Sequence, residues 1–462
     1  MNRPIVLTSG NFSDEPQCID NNEAYKQLGK IADYFLFHNR EIVNRIDDSV
    51  VRVVGNKVQI VRRARGYAPA PIHLPPGFHS VPKILAMGSE LKNTFCLLQD
   101  RKAILSQHLG DLENAVAFQA YQDTLNLYLN LFEYKPEAIA VDLHPEYLST
   151  KLGKELAYSH QGGHSTTVPL LHIQHHHAHI AACMAENGVP LNSPPVLGIA
   201  LDGLGYGDDR TLWGGEFLLT NYRHFKRLAT FKPVVMIGGL QAVKEPWRNT
   251  YAHLTSAFSW EEIKQEYGSL EIVKFLEQKP LNLLNQVMEK EINSPLASSV
   301  GRLFDAVAAA IGICRDRCSY EGQAAIEMEA LCDRATLNNP EGLNYSFQIE
   351  ILDNLYFINS HSMWQALLKD LQQPTFPSVI AAKFHKALAN IIVEMVKILC
   401  QENIIDCVAL SGGVFQNRIL LELVTKQLQA LDIKVLSHSL VPPNDGGLSL
   451  GQAVIAAASL QK

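Results

Sequence analysis

The segment Gln174-His175-His176-His177-Ala178-His179 concentrates imidazoles between two apolar stretches, Leu170-Leu171-His172-Ile173 before it and Ile180 to Ala185 after it. The first stretch reads as a strand and the second as a helix stopped at Asn187-Gly188. On that helix His175 and His179, four residues apart, project from one face and can grip a single cation. Their place in the first turn, at the positive end of the helix dipole, disfavours imidazolium and leaves lone pairs available. The competing reading is a polar histidine cluster exposed at a helix start or packed in a core.

Two histidines do not close a metal site. Asp202, after Leu197-Gly198-Ile199-Ala200-Leu201, and Asp445, after Val441-Pro442-Pro443-Asn444, sit where α/β proteins place carboxylates, just beyond strand ends. Taken alone, each is as readily a helix cap or a turn former. With the histidines they make a His2Asp2 set suited to Zn or Fe.

Glycine-punctuated turns supply candidate phosphate cradles, because glycine lets backbone N–H groups approach an anion. Asp202 opens Gly203-Leu204-Gly205-Tyr206-Gly207, read here as a loop, and Trp213-Gly214-Gly215-Glu216 reads as a tight turn into a further strand. Ser411-Gly412-Gly413-Val414-Phe415-Gln416-Asn417 reads as a strand end, a glycine pair and a helix N-terminus. In Gly88-Ser89-Glu90-Leu91-Lys92, Lys92 can reach a phosphate oxygen. No Walker A or G-x-G-x-x-G pattern is present, which counts against P-loop and Rossmann readings. Three such loops on separate strands suggest a nucleotide held between two lobes. Asp305 and Glu327 interrupt apolar helical runs, and an acid there suits a ribose hydroxyl or, equally, a salt bridge to Arg302.

The elements that must position these residues alternate. Residues 3–9 read as a strand, Asn22 to Tyr34 as a helix, and Ser49 to Val54 with Lys57 to Val61 as a hairpin turning at Gly55-Asn56. A Pro-rich stretch from Gly66 to Gly77 reads as a linker. Strands follow at 84–88, 95–98, 103–106, 138–141, 195–201, 213–219, 408–410 and 434–437. Helices fill 114–132, much of 298–338, 380–401, 416–431 and 448–460. This alternation predicts an α/β protein with a buried mixed sheet, and two glycine-punctuated strand sets, 84–141 and 195–219, hint at duplication.

The chain has 462 residues, enough for about three domains at roughly 150 residues each. Its 40 basic and 47 acidic side chains give a net charge of −7, which argues against nucleic-acid binding through bulk positive charge. No stretch approaches the ~20 apolar residues that span a bilayer, and no secretory signal opens the chain. Eight cysteines lie scattered without a zinc or disulfide framework, so most are expected to be buried thiols in a reducing, cytoplasmic setting.

The combination of Gln174 to His179, Leu201-Asp202-Gly203-Leu204-Gly205-Tyr206-Gly207 and Trp213-Gly214-Gly215-Glu216 resembles the HypF family of carbamoyltransferases of [NiFe]-hydrogenase maturation. Ser299 to Asp305, Tyr320-Glu321-Gly322-Gln323-Ala324-Ala325, Ser411 to Asn417 and Pro443-Asn444-Asp445-Gly446-Gly447 follow in the family's order, and the resemblance covers essentially the whole chain.

It implies a two-lobed fold of the actin/hexokinase/Hsp70 type, a duplicated RNase H-like domain similar to the threonylcarbamoyladenosine-forming proteins. It implies His175, His179, Asp202 and Asp445 as metal ligands. Similarity to the threonylcarbamoyl proteins adds Asp305, Gly322, Glu327 and Asn417 as nucleotide contacts, beside the candidates Lys92, Gly412 and Gly413. ATP with Mg and carbamoyl phosphate are the implied substrates, giving carbamoyl-adenylate. The implied acceptor is the C-terminal cysteine of a HypE-type partner, for cyanide-ligand synthesis.

The first sixty residues resemble the closing part of the family's YrdC-like domain, through Thr8-Ser9-Gly10-Asn11, His38-Asn39-Arg40 and Asp47-Asp48-Ser49-Val50, with Ser9, Asn11 and Arg40 as its site residues. The expected division is 1–65 as this remnant and 66–81 as linker. Residues 82–194 form lobe I and 195–462 lobe II, its last helix packing back on lobe I. The family's acylphosphatase-like and Cys-rich regions have no counterpart here. The sequence reading is therefore of a truncated or split enzyme, with a separate chain supplying the rest. Two alternatives are an O-carbamoyltransferase acting on a small-molecule hydroxyl and an inactive ATP- or partner-binding fragment. In the former, the YrdC-like part usually follows the lobes.

Overall fold

A computed structural model of the chain describes residues 4–12, 15–158, 160–161, 164–165, 167–339 and 345–461. Two sheets are built to the same plan. In the first, strands β4 (Ile84–Ala86), β5 (Cys96–Gln99) and β6 (Lys102–Leu105) form an antiparallel meander, and β7 (Ala138–Asp142) then β8 (Leu170–Ile173) add in parallel beside β4. The short β3 (Ile72–His73) closes the β6 edge.

In the second, β9 (Val196–Tyr206), β10 (Leu212–Thr220) and β11 (Phe225–Phe231) form the meander. Strands β12 (Gln348–Leu352) and β13 (Leu355–Asn359) extend its far edge, and β14 (Cys407–Ser411) then β15 (Lys434–Leu436) add in parallel beside β9. The duplication is thus larger than the strand sets the sequence suggested, reaching to residue 173 in one half and 436 in the other.

An N-terminal hairpin, β1 (Val50–Val54) and β2 (Lys57–Arg62), turns at Gly55-Asn56 as its sequence predicts. It leans on the second lobe: Val54 and Ile60 are buried, Arg52 pairs with Glu329 at 2.8 Å and donates to the Gln416 carbonyl at 2.6 Å, and Gln59 donates to the Phe415 carbonyl at 3.3 Å.

Two helices lie between the sheets. α4 (His175–Glu186) and α9 (Leu448–Leu460) share one apolar cluster with Ile84 and Ala86 of the first sheet and Ala200 and Ala409 of the second. A helix apolar on every side belongs in such a layer. Their crossing needs Gly451, since a Cβ there would stand 1.8 Å from the Ala178 carbonyl oxygen. Gln452 fixes α9 to the end of β4, accepting from the Gly88 N–H at 2.8 Å and donating to the Gly88 carbonyl at 3.0 Å.

The other helices used below are α1 (Asn21–Leu28), α2 (Ala115–Leu131), α3 (Leu148–Ala157), α5 (Val300–Ala310), α6 (Gln323–Leu331), α7 (Pro377–Glu402) and α8 (Arg418–Gln429).

Several expectations need correction. Residues 4–9 form no strand, and Arg3 lies outside the described residues; Ile5, Val6 and Leu7 stand exposed with no neighbouring strand to take their backbone groups. The helix read to Tyr34 stops at Leu28, with Gly29 as its cap and Asp20 accepting from the Asn22 and Glu23 N–H groups at its start. Residues 203–206 continue β9, and Trp213 to Glu216 lie within β10. Gly214 and Gly215 serve close approach, not a turn: a Cβ on Gly214 would meet the Asp202 carbonyl oxygen at 2.8 Å, and one on Gly215 the Ser298 carbonyl oxygen at 2.6 Å. Of the eight free cysteines only Cys96, Cys183 and Cys318 are buried; the other five are half-buried.

Candidate metal and nucleotide site

Gln174 caps α4, its side chain accepting from the His177 N–H at 2.8 Å, so the helix starts at His175 and the four imidazoles diverge. His177 donates through Nε2 to the Asn221 carbonyl at 2.7 Å and ties the helix to the second lobe. His176 lies beside the Trp213 ring. His175 and His179 face the cleft together, ring centroids 5.0 Å apart.

Asp202 and Asp445 meet them. The Asp202 carboxylate lies 3.4 Å from His175 Nε2 and 3.4 Å from His179 Nε2; that of Asp445 lies 3.6 Å and 3.5 Å from the same two atoms. One ligand atom from each of the four falls within 4.8 Å of the others. Four ligands about 2.0–2.1 Å from a central ion in tetrahedral array would stand roughly 3.3–3.4 Å apart, so the separations suit a cation at the centre. Both Nε2 atoms are buried without a hydrogen-bond partner, an arrangement that costs free energy unless something else takes the lone pairs. The residues present therefore fit a divalent metal.

The facing carboxylates reverse the neutral imidazoles that the helix start alone predicts. Burial disfavours charge on all four groups, but the facing charges override it. His175 and His179 are held above the usual imidazole range by the carboxylates, and Asp202 and Asp445 below the usual carboxylate range by the imidazoles.

Glycine makes the close approach possible. A Cβ on Gly205 would stand 2.5 Å from His176 Cε1 and 2.7 Å from His175 Cδ2, whereas one on Gly203 would meet nothing within 4 Å. β9 slips its register with β10 between Leu201 and Gly205, beside Asp202. Asp202 also accepts from the Gly413 N–H at 2.9 Å, joining the metal set to the glycine pair after β14. Gly412 adopts φ +98°, and a Cβ there would stand 2.2 Å from the Leu201 carbonyl oxygen.

The structure also draws in Lys92, which forms an ion pair with Glu321 across the lobes and feels the Asp445 charge. The Glu321 charge in turn acts on Asp305, and Gly322, in the left-handed region at φ +75°, caps the start of α6. Asp305 is buried and pairs with Arg302 at 3.0 Å; burial raises its carboxyl to about 6 against the lowering effect of that guanidinium.

Arg302 is therefore Asp305's partner, and the pairing read for Glu327 is not made. Glu327 is exposed and bonds within its own neighbourhood to Gln323 at 2.8 Å and Cys314 at 3.5 Å. Asn417 caps α8 by accepting from the Leu420 N–H at 2.9 Å, while its amide meets His385 Nε2 at 2.8 Å.

Ser9, Asn11 and Arg40 stand apart from this cleft. Ser9 lines a cavity of about 510 Å³ in the N-terminal unit with Thr8, Gly10, Arg45, Arg62 and Arg65. Asn11 bonds to the Phe12 and Glu15 carbonyls, and Arg40 is exposed.

One residue the sequence reading passed over belongs to the site. Asp142, at the end of β7, is wholly buried and lies 2.8 Å from His175 Nδ1. Its signal was an acid closing an apolar strand run, Ala138-Ile139-Ala140-Val141, beside the glycine-rich strand set.

Residues 198–452 match the family model "Carbamoyltransferase, Kae1-like Domain, second subdomain", 79–186 match "HypF Kae1-like domain", and 1–64 match the Sua5/YciO/YrdC family model. The "Carbamoyltransferase HypF" of Rhodobacter capsulatus is 40% identical over 458 residues, 99% of this chain and 57% of that protein. A "Carbamoyltransferase HypF homolog" of Cupriavidus necator is 35% identical over 388 residues, 83% of this chain and 93% of that protein. The crystal structure of full-length HypF in a phosphate- and nucleotide-bound form superposes with a TM-score of 0.87 at 39% identity, over 98% of this chain and 56% of that one. The chain thus spans a little over half the length of the full-length relatives.

Proposed function

The chain belongs to the HypF carbamoyltransferase family, and from that membership we propose that it carries the carbamoyl-transfer step of hydrogenase maturation. The substrates in this reading are carbamoyl phosphate and ATP with Mg, handled through carbamoyl-adenylate, and the acceptor is the C-terminal cysteine of a HypE-type protein. The observation that carries it is the convergence of His175, His179, Asp202 and Asp445, one ligand atom from each within 4.8 Å of the others, at the junction of two lobes built on one plan.

In this reading residues 82–194 and 195–462 are the two lobes, and 66–81, read from the sequence as a linker from the YrdC-like segment 1–65, also lends β3 to the first lobe's sheet. The four residues hold Zn or Fe, both of which suit a nitrogen and carboxylate donor set. Such a metal would supply Lewis-acid polarisation of phosphate or carbamoyl oxygens.

The chain's own groups do the rest. Asp142 orients His175 through Nδ1 so that Nε2 faces the set. Gly412, Gly413 and Lys92, whose donors here meet the Pro443 carbonyl, Asp202 and Glu321, are the phosphate-side candidates, and Asp305, Gly322, Glu327 and Asn417 are the nucleotide-side candidates. Closure of the lobes over the nucleotide excludes water from the transfer. In the N-terminal unit Ser9, Asn11 and Arg40 are candidates for the YrdC-like chemistry.

The test compares metal content and carbamoyl transfer. Wild type should retain metal that His175→Ala plus His179→Ala loses; equal content removes the site. Carbamoyl-phosphate-dependent labelling of a HypE-type acceptor by this chain, alone or with an added N-terminal partner, supports the transfer reading. Labelling in neither case favours a fragment that binds without turnover. The C. necator homolog, of which this chain covers 93%, is the natural comparison in that assay.

A further inference from the structure

Asp445 does not sit on a strand or a long helix. It is delivered by the chain that follows β15, and a ligand on such a segment needs ties of its own. The ties converge on Glu186, the last residue of α4, the helix whose first residue is His175. One Glu186 carboxylate oxygen accepts from the backbone N–H groups of Ser439 at 3.0 Å, Leu440, and Val441 at 3.3 Å. The other lies against His438 Nδ1, and both side chains are sealed from solvent. His438 Nε2 stands 2.7 Å from Ser411 Oγ, on the residue that precedes Gly412. Asn187 adds a bond to the Ser437 carbonyl at 3.0 Å.

A carboxylate in the last turn of a helix opposes the helix dipole, and burial adds to the cost. Three amide donors compensate for both on one oxygen, and His438 packs over the other, so the group is committed to holding this loop. The same three residue types serve as nucleophile, base and orienting acid in hydrolases. Here Ser411 is wholly buried, so no substrate carbonyl can reach it.

From these contacts we propose that Glu186 is the positioning residue for Asp445, with His438 and Ser411 linking it to the strand that leads into Gly412. Resting on the metal-site reading, the proposal extends it to residues that touch no ligand atom. One rigid helix, roughly 18 Å long for twelve residues, carries both histidine ligands in its first turns and anchors the Asp445 loop at its other end. The spacing of the ligand set is thereby tied to a single element.

The experiment titrates cobalt(II) into wild type, Glu186→Ala, Glu186→Gln and His175→Ala plus His179→Ala, reading affinity and the visible d–d bands, which report ligand number. Amide hydrogen exchange is followed in parallel. Glu186→Ala is expected to lose about 10–100-fold in affinity, as outer partners of metal ligands do, with altered bands and faster exchange at 439–445. Glu186→Gln, which keeps an oxygen for the amides but faces His438 with either a poorer acceptor or an N–H, should fall between. The paired histidine variant should lose cobalt yet keep slow exchange at 439–445.

Cobalt affinity and bands like those of wild type in a folded Glu186→Gln or Glu186→Ala protein would overturn the proposal and leave the metal reading standing. So would unchanged exchange at 439–445 in those variants. A paired histidine variant that still takes up cobalt as wild type does would overturn both.

Discussion

Asp142 and His175 are joined by a 2.8 Å contact between the Asp142 carboxylate and His175 Nδ1, both side chains fully buried. The aspartate ends β7 of the first lobe, and His175 begins the helix that packs between the lobes. The contact favours the proton on Nδ1, directed at Asp142, which leaves Nε2 as the lone-pair donor of the neutral ring.

Replacing Asp142 by Asn keeps an oxygen near Nδ1 and removes the charge that raises imidazole basicity. Metal affinity should fall about 10–100-fold with little change in folding, measured by competition with a coloured chelator. Asp142→Ala should additionally cost about 1–3 kcal/mol of stability, because a buried N–H is left unpaired. Unaltered affinity in Asp142→Asn would show that the contact is structural only.

Gly203 and Gly205 separate steric need from sequence pattern. Gly205→Ala should displace His175 and His176, since the added carbon would stand 2.5–2.7 Å from their ring atoms, and metal content should drop. Gly203→Ala has open space and should keep its metal. Elemental analysis of the two purified variants decides the matter.

The same pair shows where the sequence was legible. The four metal-set residues stand out because imidazole density and strand-end acids are local signals, and the hairpin at 50–62 stands out because Gly55-Asn56 demands its turn. The strand continuing through Gly203 to Tyr206 does not, because alternate glycines signal a loop unless one knows that imidazoles press on that strand from another segment. Residues 4–9 mislead in the opposite direction: β-branched and apolar side chains suggest a strand, but a strand exists only where a neighbour takes its hydrogen bonds. Asp142, Glu186 and His438 act through partners far away in sequence, which no spacing rule shows.

Gln452 offers a test of how the two central helices are held. Both its amide groups are spent on the buried backbone of Gly88, at the start of the segment that carries Lys92. Gln452→Leu leaves one N–H and one carbonyl without partners, each worth about 1–3 kcal/mol when buried. The urea midpoint should fall with the m-value unchanged. A variant as stable as wild type would mean that water or a shifted helix satisfies both groups.

Asp305 makes stability depend on pH in a direction opposite to that of a carboxylate stabilised by its partner. Its folded carboxyl lies at about 6, raised by burial against the lowering effect of Arg302 at 3.0 Å, from an ordinary value of 3.8. Below pH 4 the group is protonated in both states. Between about pH 4 and 6 the unfolded chain has released the proton while the folded chain still binds it, so raising the pH favours unfolding. Above 6 both are ionised and the dependence ends. At 1.36 kcal/mol per pH unit, wild type should lose roughly 3 kcal/mol across this window relative to Asp305→Asn, which cannot titrate. The offset between the proteins at any single pH also contains the altered Arg302 contact, so the quantity to measure is the change in their difference between pH 4 and pH 7, from urea unfolding at each. Parallel stability curves would show that Asp305 ionises as easily in the folded protein as in the unfolded chain, and that the Arg302 guanidinium fully offsets its burial.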